Sequence, residues 1–75
     1  MNLKKLLKYL KKYKKTGKSY RDLLVYSGEY RYLSVALKEG VEWGYITHKM
    51  GFDNKQQREI YYITDSGIEY LKESK

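Results

Sequence analysis

The stretch SGEYRYLSVALKEG, from Ser27 to Gly40, needs only Leu33, Ala36 and Leu37 for packing if it is helical. That leaves Tyr30, Arg31, Tyr32, Ser34, Val35 and Lys38 on the outward side. An arginine fork, a lysine, hydroxyls and aromatic rings together form a set suited to noncovalent recognition of a hydrogen-bonding, anionic surface. Bond-making chemistry has no comparable set, because His48 is the single histidine and the acids are dispersed, so no acid–base constellation emerges. With no cysteine and one histidine, neither a metal nor a cofactor is expected, and no small-molecule ligand is indicated.

The charge distribution points the same way. Lys4, Lys5, Lys8, Lys11, Lys12, Lys14, Lys15 and Lys18 give the first eighteen residues +8 with no acid, whereas the formal total is +7, so the remainder sums to −1. A lysine cluster of this kind suits a polyanion, either nucleic acid or an anionic membrane surface. The plain alternative is a solvated helix face. Absence of cysteine, of a long apolar run and of a visible secretory leader gives the expectation of a soluble intracellular, cytoplasmic protein.

The elements that must position these residues follow from periodicity. In a chain of 75 residues one domain, 1–75, is expected. Leu3, Leu6, Leu7, Leu10 and Tyr13 form one stripe of a first helix that Thr16 and Gly17 end. Ser19 caps a second helix with Asp22 three residues on, and Ser27–Gly28 stops it. A third helix runs from about Glu29 or Tyr30 to Trp43 on the inward positions Leu33, Ala36, Leu37, Gly40 and Trp43, and Gly44 closes it. Trp43 is expected in the core. YITHKM and REIYYIT then read as two strands with the polar loop GFDNKQQ between them, Gly51, Asp53 and Asn54 serving as turn residues. Thr64 caps a closing helix from Asp65 to about Glu73, with Ile68 and Leu71 inward. Ten tyrosines, many lysines and no cysteine match hyperthermophile usage or an AT-rich genome.

This order of elements resembles the winged helix-turn-helix DNA-binding family, in particular small transcription regulators of bacteria, archaea and archaeal viruses. SYRDLLVYSG is similar to the family's second helix and turn, LSVALKEGVEWGYIT to its recognition helix entering the first wing strand, and YYITDSGIEYL to its last strand and closing helix. The resemblance implies an α+β fold: a three-helix core, a two-stranded antiparallel wing and a short C-terminal helix. It implies a transcription regulator, a repressor in preference to an activator, that inserts the third helix (about 29–43) into the major groove of double-stranded DNA. Arg31, Tyr32, Ser34, Val35 and Tyr30 would then meet base edges. Lys18, Ser19, Lys38, Lys49, Lys55, Arg58 and Gln57, with the wing at 51–58 and the basic first helix, would meet phosphates. The family often has a hydrophobic residue after the turn glycine, where this chain has Glu29; Tyr30 is left either to lock the two helices together or to join the reading face.

Two alternatives stay open, a winged-helix protein–protein docking module and a nucleic-acid binder without sequence preference. A first helix lying on lipid is disfavoured because its leucines are needed in a small core. The reading leans towards a homodimer over a monomer, since pairing matches palindromic sites and buries more surface.

Overall fold

Leucine spacing sets the first helix, α1 (Leu3–Lys12), which buries Leu6, Leu7 and Leu10 and leaves its lysines outside. The computed structural model describes residues 2–53 and 55–73, with Asp53 described by its backbone alone. The side chain of Asn2 accepts a 2.8 Å bond from the Lys5 amide at the start of α1, and Lys11 and Lys12 sit at its negative end. Tyr13 caps the helix, and Gly17 then turns the chain at φ 68°.

Gly17 is required by proximity as well as by conformation. A Cβ there would lie 2.7 Å from Ile60 Cγ2 and 2.8 Å from the Tyr61 carbonyl oxygen. This close passage lets the next two residues pair with the distant hairpin as a short strand, β1 (Lys18–Ser19), with Lys18 opposite Tyr61 and Ser19 opposite Ile60. Ser19 then caps α2 (Tyr20–Ser27), its Oγ accepting from the Asp22 amide at 3.3 Å. Gly28 ends α2 at φ 72°.

The third helix, α3 (Tyr30–Glu42), buries Leu33, Ala36, Leu37 and Gly40. Gly40 is where a strand crosses it, because a side chain at that position would collide with Ile46 and with Leu3 of α1. Gly44, at φ 77°, turns the chain into β2 (Ile46–Asp53), which pairs antiparallel with β3 (Gln56–Ile63) from Ile46 opposite Ile63 to Asp53 opposite Gln56. α4 (Asp65–Glu73) completes the order.

The described residues therefore form a small α+β domain of four helices and one antiparallel sheet of three strands, in the order β1-β3-β2. The core joins Leu6, Leu7, Leu10, Leu23, Leu33, Ala36, Leu37, Ile46 and Ile63, with Ile68, Leu71, Tyr45 and Tyr70 packed at its edge. No helix among the described residues is long and apolar enough to cross a membrane.

Three expectations are corrected. The sheet has three strands, not two. The segment read as a polar loop, 51–57, is mostly strand: Gly51 to Asp53 and Gln56 to Gln57 are paired, and Lys55 sits in the turn at φ 66°. Gly51 belongs in a strand because the Ile60 side chain lies across it, 2.9 Å from where a Cβ would be. Asn54, read as a turn residue, lies outside the described residues. Trp43 is not in the core but 65% exposed at the end of α3. Gly40 packs against Ile46, and Trp43, three residues on, falls on the flank of α3 with Tyr32 and Glu39 and not on its buried side.

The junction at Thr64 offers a direct check of local architecture. Its Oγ1 donates to the Gly44 carbonyl at 2.6 Å and accepts from the Gly67 amide at 3.1 Å, tying the exit of α3 to the start of α4. Thr64→Val keeps the volume and loses both bonds, so chemical denaturation is expected to show a loss of about 1–2 kcal/mol.

Candidate nucleic-acid interface

Helical phase divides the exposed residues of α3 into three rows. Arg31, Val35, Lys38 and Glu42 lie opposite the buried positions, and all four are exposed, Val35 at 64%. Val35 is one of several apolar side chains exposed on the surface, Val25 of α2 among them. Arg31 has no ion-pair partner among the described residues, where His48 and Glu59 form the ion pair observed. Its guanidinium fork is therefore not committed to Asp22 or Glu29.

Ser34 lies on the flank of α3 nearest α2. Its Oγ is 3.2 Å from the Tyr20 hydroxyl, a bond between residues fourteen positions apart that braces the start of α3 against the start of α2. Tyr30 is 59% exposed and so does not lock the two helices. Leu23 and Leu33, both fully buried in the shared core, hold them together with the Tyr20–Ser34 contact. Ser27 Oγ also accepts from the Glu29 amide and bonds the Leu24 carbonyl, each at 3.3 Å, which steadies the turn where a capping side chain is lacking.

Tyr32 is also exposed, but it stands in the row of Glu39 and Trp43, on the flank away from Ser34. Ser19 is 2% exposed and spends its hydroxyl on the α2 cap, so it is removed from the set of surface contacts.

The hairpin and β1 carry the remaining candidate cations. Register places Lys49 opposite Ile60 and Gly51 opposite Arg58, so Lys49 and Arg58 share the Ile60 side of the sheet. Lys49 Nζ is 5.0 Å from the centre of the Tyr62 ring, and Arg58 donates to Gln56 Oε1 at 2.6 Å. Lys55 occupies the tip, and Gln57 is exposed on the opposite side, paired with Phe52. Lys18 lies over the Tyr13 ring at 3.9 Å, which fixes its ammonium beside the β1–β3 edge.

Between α2 and β3 runs a cleft of about 440 Å³ lined by Ser19, Tyr20, Arg21, Leu24, Arg58, Glu59 and Tyr61. Burial raises the Tyr61 hydroxyl pKa above its ordinary value, with Glu59 and then Tyr20 adding to the effect, so it stays a neutral hydrogen-bonding group. Arg21 and Arg58 face this cleft from two elements. Sequence reading missed Arg21 and Tyr20. One signal was present: a cation in the first turn of a helix opposes the helix dipole, and that placement makes sense where an external anion is expected. The exposed apolar residues Met50 and Phe52 on the hairpin were also missed, Phe52 being 79% exposed.

No group of three or more His, Cys, Asp or Glu among the described residues could hold a metal ion. Comparison of the chain with protein-family models, curated proteins and solved structures returned no match.

Proposed function

We propose that this chain is a winged helix-turn-helix protein that binds double-stranded DNA and regulates transcription. The observation that carries the reading is the row Arg31, Val35, Lys38, outward on a helix braced by α2, in a domain whose hairpin carries Lys49, Lys55 and Arg58. A major groove about 12 Å wide admits one helix, and it is the N-terminal half of such a helix that meets base edges. Arg31 donates both arms to a guanine edge, Val35 packs against a thymine methyl, Ser34 is short enough to permit close approach, and Tyr30 reaches a base edge from the same flank. Tyr32, on the other flank, reaches a base or phosphate at the groove wall. Lys38, two turns along, meets phosphate.

The hairpin acts as the wing, extending Lys49, Lys55, Arg58 and Gln57 towards the backbone. Lys18, Arg21 and the C-terminal lysines of α1 supply phosphate contacts beside it. Glu39 lies on the Tyr32 flank and Glu42 one turn beyond Lys38 on the outward row, both in the C-terminal half of α3 and away from the end proposed to meet base edges. Repression is the expected mode, since a bound domain without an activation surface can still block a promoter.

An equilibrium titration of a fluorescent duplex at two ionic strengths tests this reading. If six to ten phosphate contacts form, affinity falls by roughly 10³ to 10⁵ between about 50 and 200 mM salt. A domain that ignores duplex at the lower salt is not a DNA-binding protein.

A further inference from the structure

The end of α3 remote from Arg31 carries a second surface. Trp43 stands exposed there, and next to it Tyr45 and Tyr70 stack with ring centres 4.7 Å apart and planes at 21°. This stacked pair forms a ridge between two clefts. One, of about 270 Å³, is lined by Glu39, Trp43, Tyr45 and Tyr70. The other, of about 190 Å³, is lined by Tyr45, Ser66, Glu69, Tyr70 and Glu73. The charged residues lining both are carboxylates, with no lysine or arginine among them.

Aromatic faces edged by carboxylates favour a cation, through the ring quadrupole and through direct ion pairing. The chain holds an abundant supply in the lysines of its first eighteen residues. Its own α1 cannot deliver them. α1 packs its leucine stripe towards the core, so Lys5, Lys8 and Lys12, exposed on the opposite side, point away from α3 and α4. We propose that the Trp43–Tyr45–Tyr70 surface, with Glu39, Glu69 and Glu73, is a docking site for the outward lysines of α1 from a second copy of this chain. Charge complementarity selects that occupant: the copy presents five lysines and no acid on α1, and the surface presents three carboxylates around three rings.

At a formal charge of +7, copies repel one another overall. A specific lysine–carboxylate contact makes them associate at low salt and separate as screening shortens from about 10 Å at 0.1 M to about 3 Å at 1 M.

The test is sedimentation of the pure, nucleic-acid-free full chain over a concentration series at low and high salt, with emission of Trp43, its single tryptophan, followed in parallel. The expected result is association at low salt that is lost at high salt, with Trp43 emission changing along the same curve. Glu39→Lys with Glu69→Lys, both at exposed positions, should weaken association about tenfold or more, because two attractions become repulsions. Mixing that variant with Lys5→Glu/Lys8→Glu should restore a one-to-one complex. A chain that stays monomeric at low salt, association that strengthens with salt, or charge-reversed variants that associate like the original would each overturn the proposal. Far-UV circular dichroism confirms that the variants fold. Because no DNA is present, the outcome stands apart from the DNA-binding reading.

Discussion

Arg31→Ala is expected to weaken binding to the preferred duplex by about 1–3 kcal/mol, a factor of roughly 5 to 150, with the loss concentrated at one base pair. The magnitude follows from geometry. The side chain is exposed, directly opposite the buried positions of α3 and without an ion-pair partner among the described residues, so nothing has to be broken before its fork engages paired acceptors. Arg31→Lys is expected to recover little of the loss, since an ammonium keeps the charge and lacks the planar pair of donors. Lys38→Ala should behave differently, lowering affinity about equally on all sequences and reducing the salt slope by about 1. Anisotropy titrations on duplexes altered one base pair at a time separate the two patterns. Neither change should move the melting temperature appreciably, because both side chains are exposed.

Leu33→Ala is expected to have the larger effect, unfolding the domain or leaving it barely folded at room temperature. Leu33 is fully buried in the core that joins α1, α2, α3 and the sheet. Truncating such a leucine costs about 2–5 kcal/mol through lost burial and the cavity left behind. A core of this size supplies only roughly 3–5 kcal/mol in total. Arg31 and Ser34 sit on the same helix within two residues, so the outward face disappears with the fold. Trp43→Ala provides the contrast: the indole is exposed, and urea denaturation should register a change within about 0.5 kcal/mol, where burial would have made it one of the costliest substitutions.

Much of the fold is legible along the chain because single elements obey short-range rules. The leucine stripe of α1, the Ser19 and Thr64 caps, and the turns at Gly17, Gly28 and Gly44 each depend on neighbours within four residues. What escaped depends on distant partners. Two residues at Lys18–Ser19 have no detectable period, and they become a strand only because Gly17 lets the chain press against Ile60. Gly51 has little intrinsic strand preference and is held in β2 by the Ile60 side chain that crosses it. Trp43 falls at a plausible interval after Gly40, but spacing cannot reveal that Ile46 already fills the space Gly40 opens.

The candidate site divides in the same manner. Helical phase alone puts Arg31, Val35 and Lys38 on one row, and the structure keeps them there. The same phase, applied strictly, moves Tyr32 to the row of Glu39 and Trp43. The Tyr20–Ser34 brace and the facing of Arg21 and Arg58 across a cleft require three elements to be assembled, and no local pattern announces them. Ser19 looked available because its capping role and a surface role use the same residue type.

The central claim is that the outward row of α3, with the hairpin beside it, is the surface that meets a duplex. Mapping backbone amide shifts while a duplex is titrated into the labelled chain tests this most directly. The account predicts perturbations concentrated at Tyr30 to Lys38, at the start of α2 around Arg21, and along the hairpin at Lys49, Lys55 and Arg58, with Trp43 and Tyr70 quiet. Perturbations centred on Trp43, Tyr45 and Tyr70, or none at all at low ionic strength, would contradict it.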